Sequence, residues 1–314
     1  MRVAWLFPGQ GAQVVGMGKG VLDASPRARA VFAHADEALG EPLTRLILEG
    51  PEDQLTLTAN AQPAIVTTSV AMLEAIRERY TDLSPPAFAV GHSLGEYSAL
   101  VAAGGLTFED AVRLVRARGK AMQEAVPAGS GAMAAIMGLD GQALSLLCER
   151  AASETGEVVS CANFNAPGQI VIAGSRTAVA RVQELVSADK GKAIPLKVSA
   201  PFHCALMAPA ARAVSAALER VPVNDLAFPV IANADAEPNV SGTRAKELLV
   251  RQVDGAVLWE QIVRFMHGQG VTHAIEVGPG KVLAGLVKRI ARDLKVHSVS
   301  DPSSLEGLGS FLGG

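Results

Sequence analysis

Residues 89–100, AVGHSLGEYSAL, set one serine between two glycines directly behind an apolar run. A Gly-x-Ser-x-Gly sequence in that position fits a tight turn from a strand into a helix, where the missing side chains relieve crowding and hold the hydroxyl exposed above a sheet. Such a turn belongs to an α/β fold. The remaining pattern agrees, alternating strand-like and helix-like segments. Residues 2–7 read as a first strand running into the glycine-rich loop FPGQGAQ, and 87–91 as another ending at the serine turn, so both loops stand at strand ends.

From Gly131 to Val198 the pattern changes. GAMAAIMGL reads as a strand, GQALSLLCERAAS as a helix, VVSCAN and QIVIAG as two strands, RTAVARVQELVSA as a helix and AIPLKV as a strand. That order, β-α-β-β-α-β, is the ferredoxin-like unit. The expected fold is α/β, with a large α/β-hydrolase-like domain on a parallel sheet (1–127 and 199–314) and an inserted ferredoxin-like small subdomain (128–198). VPAGSG and SAPF serve as joints, and the insertion predicts a cleft between the two parts.

With 314 residues, 49% of them hydrophobic, the chain can bury a substantial core. A net charge of −3 gives no global attraction to nucleic acid or an anionic membrane. The amino terminus has too short an apolar stretch for a signal peptide, and no later run has the length of a transmembrane helix, so a cytoplasmic protein is expected. Cys148, Cys161 and Cys204 form no CxxC pair and sit in no His cluster, so neither a disulfide framework nor a metal site is expected.

A serine hydroxyl needs a base, usually histidine, to act as a nucleophile. Among six histidines, His92 adjoins Ser93 and reads as a packing or loop-positioning residue. His34, His267, His273 and His297 read as solvated or partly packed. His203, in the loop SAPFHC after a strand, projects toward the sheet end where Ser93 emerges; it is the candidate base, or else a helix-start or core histidine. Asp110, Asp140 and Asp189 lie between Ser93 and His203, all in helix-start or charged surface contexts, and a backbone carbonyl could orient the imidazole equally well. Helix-opening amides after Ser93 face an oxygen developing negative charge, as acyl transfer requires.

Thr107 opens a helix predicted to run to about Ala125, with an apolar stripe of Ala111, Leu114, Val115, Met122 and Ala125. Arg118 falls on that stripe, while Arg113, Arg116 and Lys120 are expected on a solvated face. An inward guanidinium cannot be neutralised and needs an anion. That anion is either a buried Glu in a structural ion pair or a substrate carboxylate held in the guanidinium fork.

FPGQGAQ, GHSLGEYSAL, RARGKAMQ, NFNAPGQIVIAG, SAPFHCALM, LLVRQ and EVGPGKVL follow one another in the order found in malonyl-CoA:acyl carrier protein transacylases. The chain resembles that family over nearly its whole length. The family includes acyltransferases of fatty-acid and polyketide synthases. The resemblance implies a ping-pong transfer of malonyl from coenzyme A to Ser93 and then to the phosphopantetheine thiol of an acyl carrier protein. His203 would be base and then acid. Gln10 and the Leu94 amide would form the oxyanion hole, Arg118 would take the malonyl carboxylate, and the Gln252 carbonyl would orient His203. Phe202 matches the bulky residue of malonyl-selective members. Gly278 and Gly280 read as turn formers. No permanently bound cofactor is implied, malonyl-CoA being a substrate, and a monomer is the family expectation.

Two other classes compete. A serine hydrolase would use the same Ser-His pair but has no need of a buried arginine, and a non-catalytic carrier-binding module has no need of Ser93, His203, Gln10 and Arg118 together. The family's carrier proteins are acidic, so this slightly acidic chain requires a local basic patch. Lys190 and Lys192, with Arg176, Arg181 and Lys197 nearby, are its candidates.

Overall fold

The computed structural model describes residues 1–188, 191–196, 198 and 200–313. Strand β1 (Val3–Phe7) is apolar and buried except at its first residue. Five helices follow it: α1 (Lys19–Ala24), α2 (Pro26–Leu39), α3 (Leu43–Glu49), α4 (Glu52–Thr56) and the long α5 (Thr58–Arg79). Strand β2 (Phe88–Gly91) then leads to α6 (Gly95–Ala102) and α7 (Phe108–Glu124). Ser25 caps α2 and Thr107 caps α7, each accepting from the amide three residues on.

The next segment forms β3 (Gly131–Met137), α8 (Gly141–Thr155), β4 (Val159–Ala166), β5 (Gln169–Ser175), α9 (Arg176–Ala188) and β6 (Lys192–Pro195). The remainder holds α10 (Ala208–Glu219), β7 (Val230–Ile231), β8 (Pro238–Asn239), α11 (Gly242–Asp254) and α12 (Trp259–Gly268). It ends with β9 (His273–Val277), α13 (Val282–Ile290), β10 (Lys295–Val299) and α14 (Pro302–Gly313).

Among the described residues these strands make two sheets, one ordered β10-β9-β1-β2-β7-β8 and the other β4-β5-β3-β6. The first is parallel except for β8. Its strands are covered on both faces: Trp5 and Phe7 enter one hydrophobic cluster while Ala4 and Leu6 enter another, as the period of two requires. The second sheet is antiparallel, and its strand order is that of the ferredoxin-like unit read from the sequence. One face packs on α8 and α9 through Ile136, Ile172, Leu144 and Val182. On the other, Met133, Val171 and Ala173 join the main core.

One expectation is overturned. Arg116 is buried, not solvated, because α7 packs against α2, α5 and α10 and so has more than one covered face. Its guanidinium donates to Ala59 O at 2.8 Å, to Asn60 Oδ1 and to Glu41 Oε2 at 2.7 Å. Arg113 and Lys120 are exposed as expected.

Candidate active site

The site begins at the C-terminal end of β2, where ligands bind in parallel sheets of this kind. Ser93 adopts φ 52°. That left-handed conformation is strained for a residue with a side chain, and the surroundings hold it. A Cβ on Gly91 would lie 1.8 Å from the Gly95 carbonyl carbon, and one on Gly95 would lie 2.3 Å from Phe7 O. The two glycines therefore let the elbow fold tightly against β1. Asn233, just after β7, clasps the turn: its Oδ1 accepts from Ser93 N at 2.7 Å and its Nδ2 donates to Gly91 O at 2.7 Å.

His203 stands in the loop after β6, also with positive φ, at 60°. Its Nε2 is 2.8 Å from Ser93 Oγ and its Nδ1 is 2.7 Å from Gln252 O. A carbonyl can only accept, so Nδ1 carries the hydrogen and the Nε2 lone pair faces the serine hydroxyl. Burial, reinforced by the Arg118 charge, pushes the imidazole pKa down to about 3, which keeps it neutral at physiological pH.

Arg118 is 1% exposed, with Nη2 3.0 Å from Ser93 Oγ and 2.8 Å from Gln252 Oε1, and Nη1 2.8 Å from Gln62 Oε1. Among the described residues it makes no ion pair, and its Nε–H has no acceptor. The buried Glu96 stands behind it, separated by the Gln252 carboxamide, whose Nε2 donates to Glu96 Oε2 at 2.8 Å and to Ser93 O at 2.9 Å. Burial raises the Glu96 carboxyl to about 7, against the pull of its hydrogen bonds and of Arg118.

Ser93, His203, Arg118 and Gln62 line a cavity of about 480 Å³, whose walls also include Gln10, Phe202, Met122, Met133 and Leu196. Gln10 is exposed at the cavity wall and donates from Nε2 to Thr58 Oγ1 at 3.1 Å. Leu94 is at the head of α6, and among the described residues its amide has no acceptor. The structure thus brings Ser93, His203, Arg118, Gln10 and Phe202 to one cavity, with Gln252 fully buried behind it and bonded to Arg118 and His203. Lys192 is exposed at the start of β6, away from it, and Lys190 and Lys197, like Asp189, lie outside the described residues. Asp110 and Asp140 sit at helix starts, where Asp140 caps α8.

Gln62, Glu96, Asn233 and Asn165 escaped the sequence reading. Glu96 had a signal: it is the charged residue in the otherwise uncharged helix GEYSALVA. The amides had none. His92, read as a packing or loop-positioning residue, contacts Asn165 Oδ1 through Nε2 at 2.9 Å and packs on Trp259, tying the elbow to β4. Gly278 and Gly280 take positive φ, 142° and 78°. Among the described residues no group of His, Cys, Asp and Glu could hold a metal ion.

Chemically, a neutral imidazole lone pair faces a hydroxyl that also accepts from a guanidinium, beside the Leu94 amide at a helix head, which has no acceptor among the described residues. Those are the parts of nucleophilic acyl transfer. The family model for the acyl transferase domain matches residues 4–309. A malonyl CoA-acyl carrier protein transacylase of Bacillus subtilis (strain 168) is 49% identical over 306 residues, 97% of this chain and 95% of its own. The crystal structure of an acyl-carrier-protein-S-malonyltransferase from Bartonella henselae has a TM-score of 0.96 and 44% identity, covering 100% of each chain. A type II PKS acyl-carrier protein in complex with its malonyl-transacylase gives a TM-score of 0.94 and 44% identity over 98% of each chain.

Proposed function

The chain belongs to the malonyl CoA-acyl carrier protein transacylases, and from that premise we propose that it moves malonyl from coenzyme A to an acyl carrier protein through an ester on Ser93. His203 Nε2 takes the proton of Ser93 Oγ as Oγ attacks the thioester carbonyl. The carbonyl oxygen collects negative charge, which the Leu94 amide and the Gln10 side chain stabilise. Collapse breaks the carbon–sulfur bond, and the coenzyme A thiolate takes the proton back from His203. The carrier's phosphopantetheine thiol then repeats the sequence in reverse. The Gln252 carbonyl holds the imidazole in register throughout, and the Phe202 ring crowds substituents on the malonyl α-carbon.

The observation that carries this reading is Arg118, whose buried guanidinium lies 3.0 Å from the nucleophilic oxygen with no carboxylate of the described residues paired to it. A short acyl group ending in a carboxylate supplies an anion that pairs with it directly. Residues 1–127 and 199–314 serve as the catalytic part and 128–198 as the small subdomain. The enzyme works as a cytoplasmic monomer with no resident cofactor. Intact-mass spectrometry after mixing with malonyl-CoA tests the reading: the parent gains one malonyl group and Ser93→Ala gains none. A stoichiometric adduct on Ser93→Ala would refute Ser93 as the nucleophile.

A further inference from the structure

Behind the nucleophile, one buried cation and one buried anion face each other without touching. Arg118 is 1% and Glu96 2% exposed, and the Gln252 carboxamide stands between them, accepting from Arg118 Nη2 at 2.8 Å and donating to Glu96 Oε2 at 2.8 Å. An ionised carboxylate only accepts, so Glu96 fixes the NH2 end of Gln252 toward itself and turns the oxygen to the guanidinium. The charges balance while Arg118 holds no other anion. On the transacylase reading, which this inference rests on, the malonyl carboxylate brings a second anion to the same guanidinium, in an interior that solvates charge poorly.

We propose that Glu96 is the counter-anion of the unloaded site, and that it takes up one proton from solvent when a malonyl carboxylate settles on Arg118. The step is Glu96 carboxylate plus a proton giving the carboxylic acid; no electrons move, and the Ser93 proton travels separately through His203. The hydrogen bonds permit it. Both Asn233 N, at 2.9 Å, and Gln252 Nε2 donate to Oε2, so a proton can sit on Oε1 with neither bond broken.

The surrounding charges point the same way. Arg118, from α7, is the cation that favours ionised Glu96, and a second carboxylate on Arg118 offsets that pull. Asp235, after β7, opposes ionisation and is itself ion-paired to Arg244 at 3.0 Å. Tyr97, the next residue on α6, is held neutral by burial, its pKa pushed up to about 12. With Glu96 already raised to about 7, the added anion moves its titration above neutrality.

Proton uptake is read with an indicator dye in weakly buffered solution near pH 8, during single loading of the parent protein by malonyl-CoA and by acetyl-CoA. The released thiol is the same in both, so its ionisation cancels. Malonyl loading is expected to take up more protons per ester formed, approaching one, and Glu96→Gln to make the two equal. The parent's malonyl-to-acetyl ratio of kcat/KM should fall by up to about tenfold per pH unit over the linked range, and Glu96→Gln should flatten it. Equal uptake with both acyl groups in the parent overturns the proposal, whether or not Glu96→Gln folds. Failure to form any ester on Ser93 would instead overturn the transacylase reading.

Discussion

Arg118 and His203 are both buried, yet burial serves opposite ends in the two. Arg118 keeps its charge and, on the proposed function, shares it with the malonyl carboxylate, so Arg118→Ala should cost malonyl loading about 3 kcal/mol, on the order of a hundredfold in kcat/KM, with acetyl loading much less affected. Equal losses for malonyl-CoA and acetyl-CoA would make the arginine structural. His203 instead gives up its charge. Its folded pKa of about 3 lies below the ordinary imidazole value of 6.5, so between those pH values the unfolded chain binds the extra proton and stability falls as pH falls. Urea titrations from pH 7 to pH 5 should therefore show a shallower acid loss for His203→Ala than for the parent, by up to about 1.4 kcal/mol per pH unit. Parallel slopes would contradict the buried neutral imidazole. The inward position of Arg118 was legible because a charged residue interrupts an apolar stripe. Arg116 was not, because a single-stripe reading assumes one covered face and α7 has several.

At the scale of elements, the junction of β2 and α6 was the most legible part of the chain, since GHSLG constrains backbone as well as chemistry. What the sequence could not show is the clasp that holds it. Asn233 and Gln252 arrive from chain more than a hundred residues away, and neither carries a periodic or charge signal. The β-α-β-β-α-β segment was readable through its alternating periods, with boundaries close to those observed, although β4 extends to Ala166 with bulges that pattern alone does not reveal. The elbow itself gives a sharp test. Gly95→Ala would drive a Cβ to 2.3 Å from Phe7 O, a contact with backbone that cannot step aside. It should lower stability by about 3 kcal/mol, the upper end of ordinary overpacking, and abolish the malonyl adduct. Gly285→Ala in α13 meets nothing within 4 Å and should raise stability slightly, by about 0.5–1 kcal/mol. Thermal denaturation of the two variants side by side checks the pair, and a Gly95→Ala as stable and as readily malonylated as the parent would mean that the elbow is not held by close packing.

For the whole molecule, the placement of two sheets around one cavity decides how a second macromolecule can reach Ser93. The small sheet is tied down by a bridge between Asn163 and Val257, with Val257 N donating to Ala162 O at 2.9 Å and Phe164 N to Val257 O at 2.9 Å. Its edge strand β6 runs from exposed Lys192 toward Leu196 and Val198, which line the cavity. With a net charge of −3, attraction to a carrier as acidic as the family resemblance implies would have to be local. On the neighbouring helix α9, Arg181 is already neutralised by Glu154 and Glu184, at 2.6 and 2.7 Å, and Arg176 donates to Gly129 O. Lys192, which makes no ion pair among the described residues, is the cation we propose for a carrier docking along β6 toward the cavity. Rim charges act mainly on association rate and its salt dependence. Lys192→Glu should accordingly lower kcat/KM for the carrier protein by about three- to tenfold at low ionic strength, with the deficit fading at high salt as screening shortens the field. Loading from malonyl-CoA, measured as the first-order formation of the Ser93 ester, should change much less, because Lys192 stands outside the cavity. Carrier kinetics identical to the parent's at low salt would move the docking surface off β6.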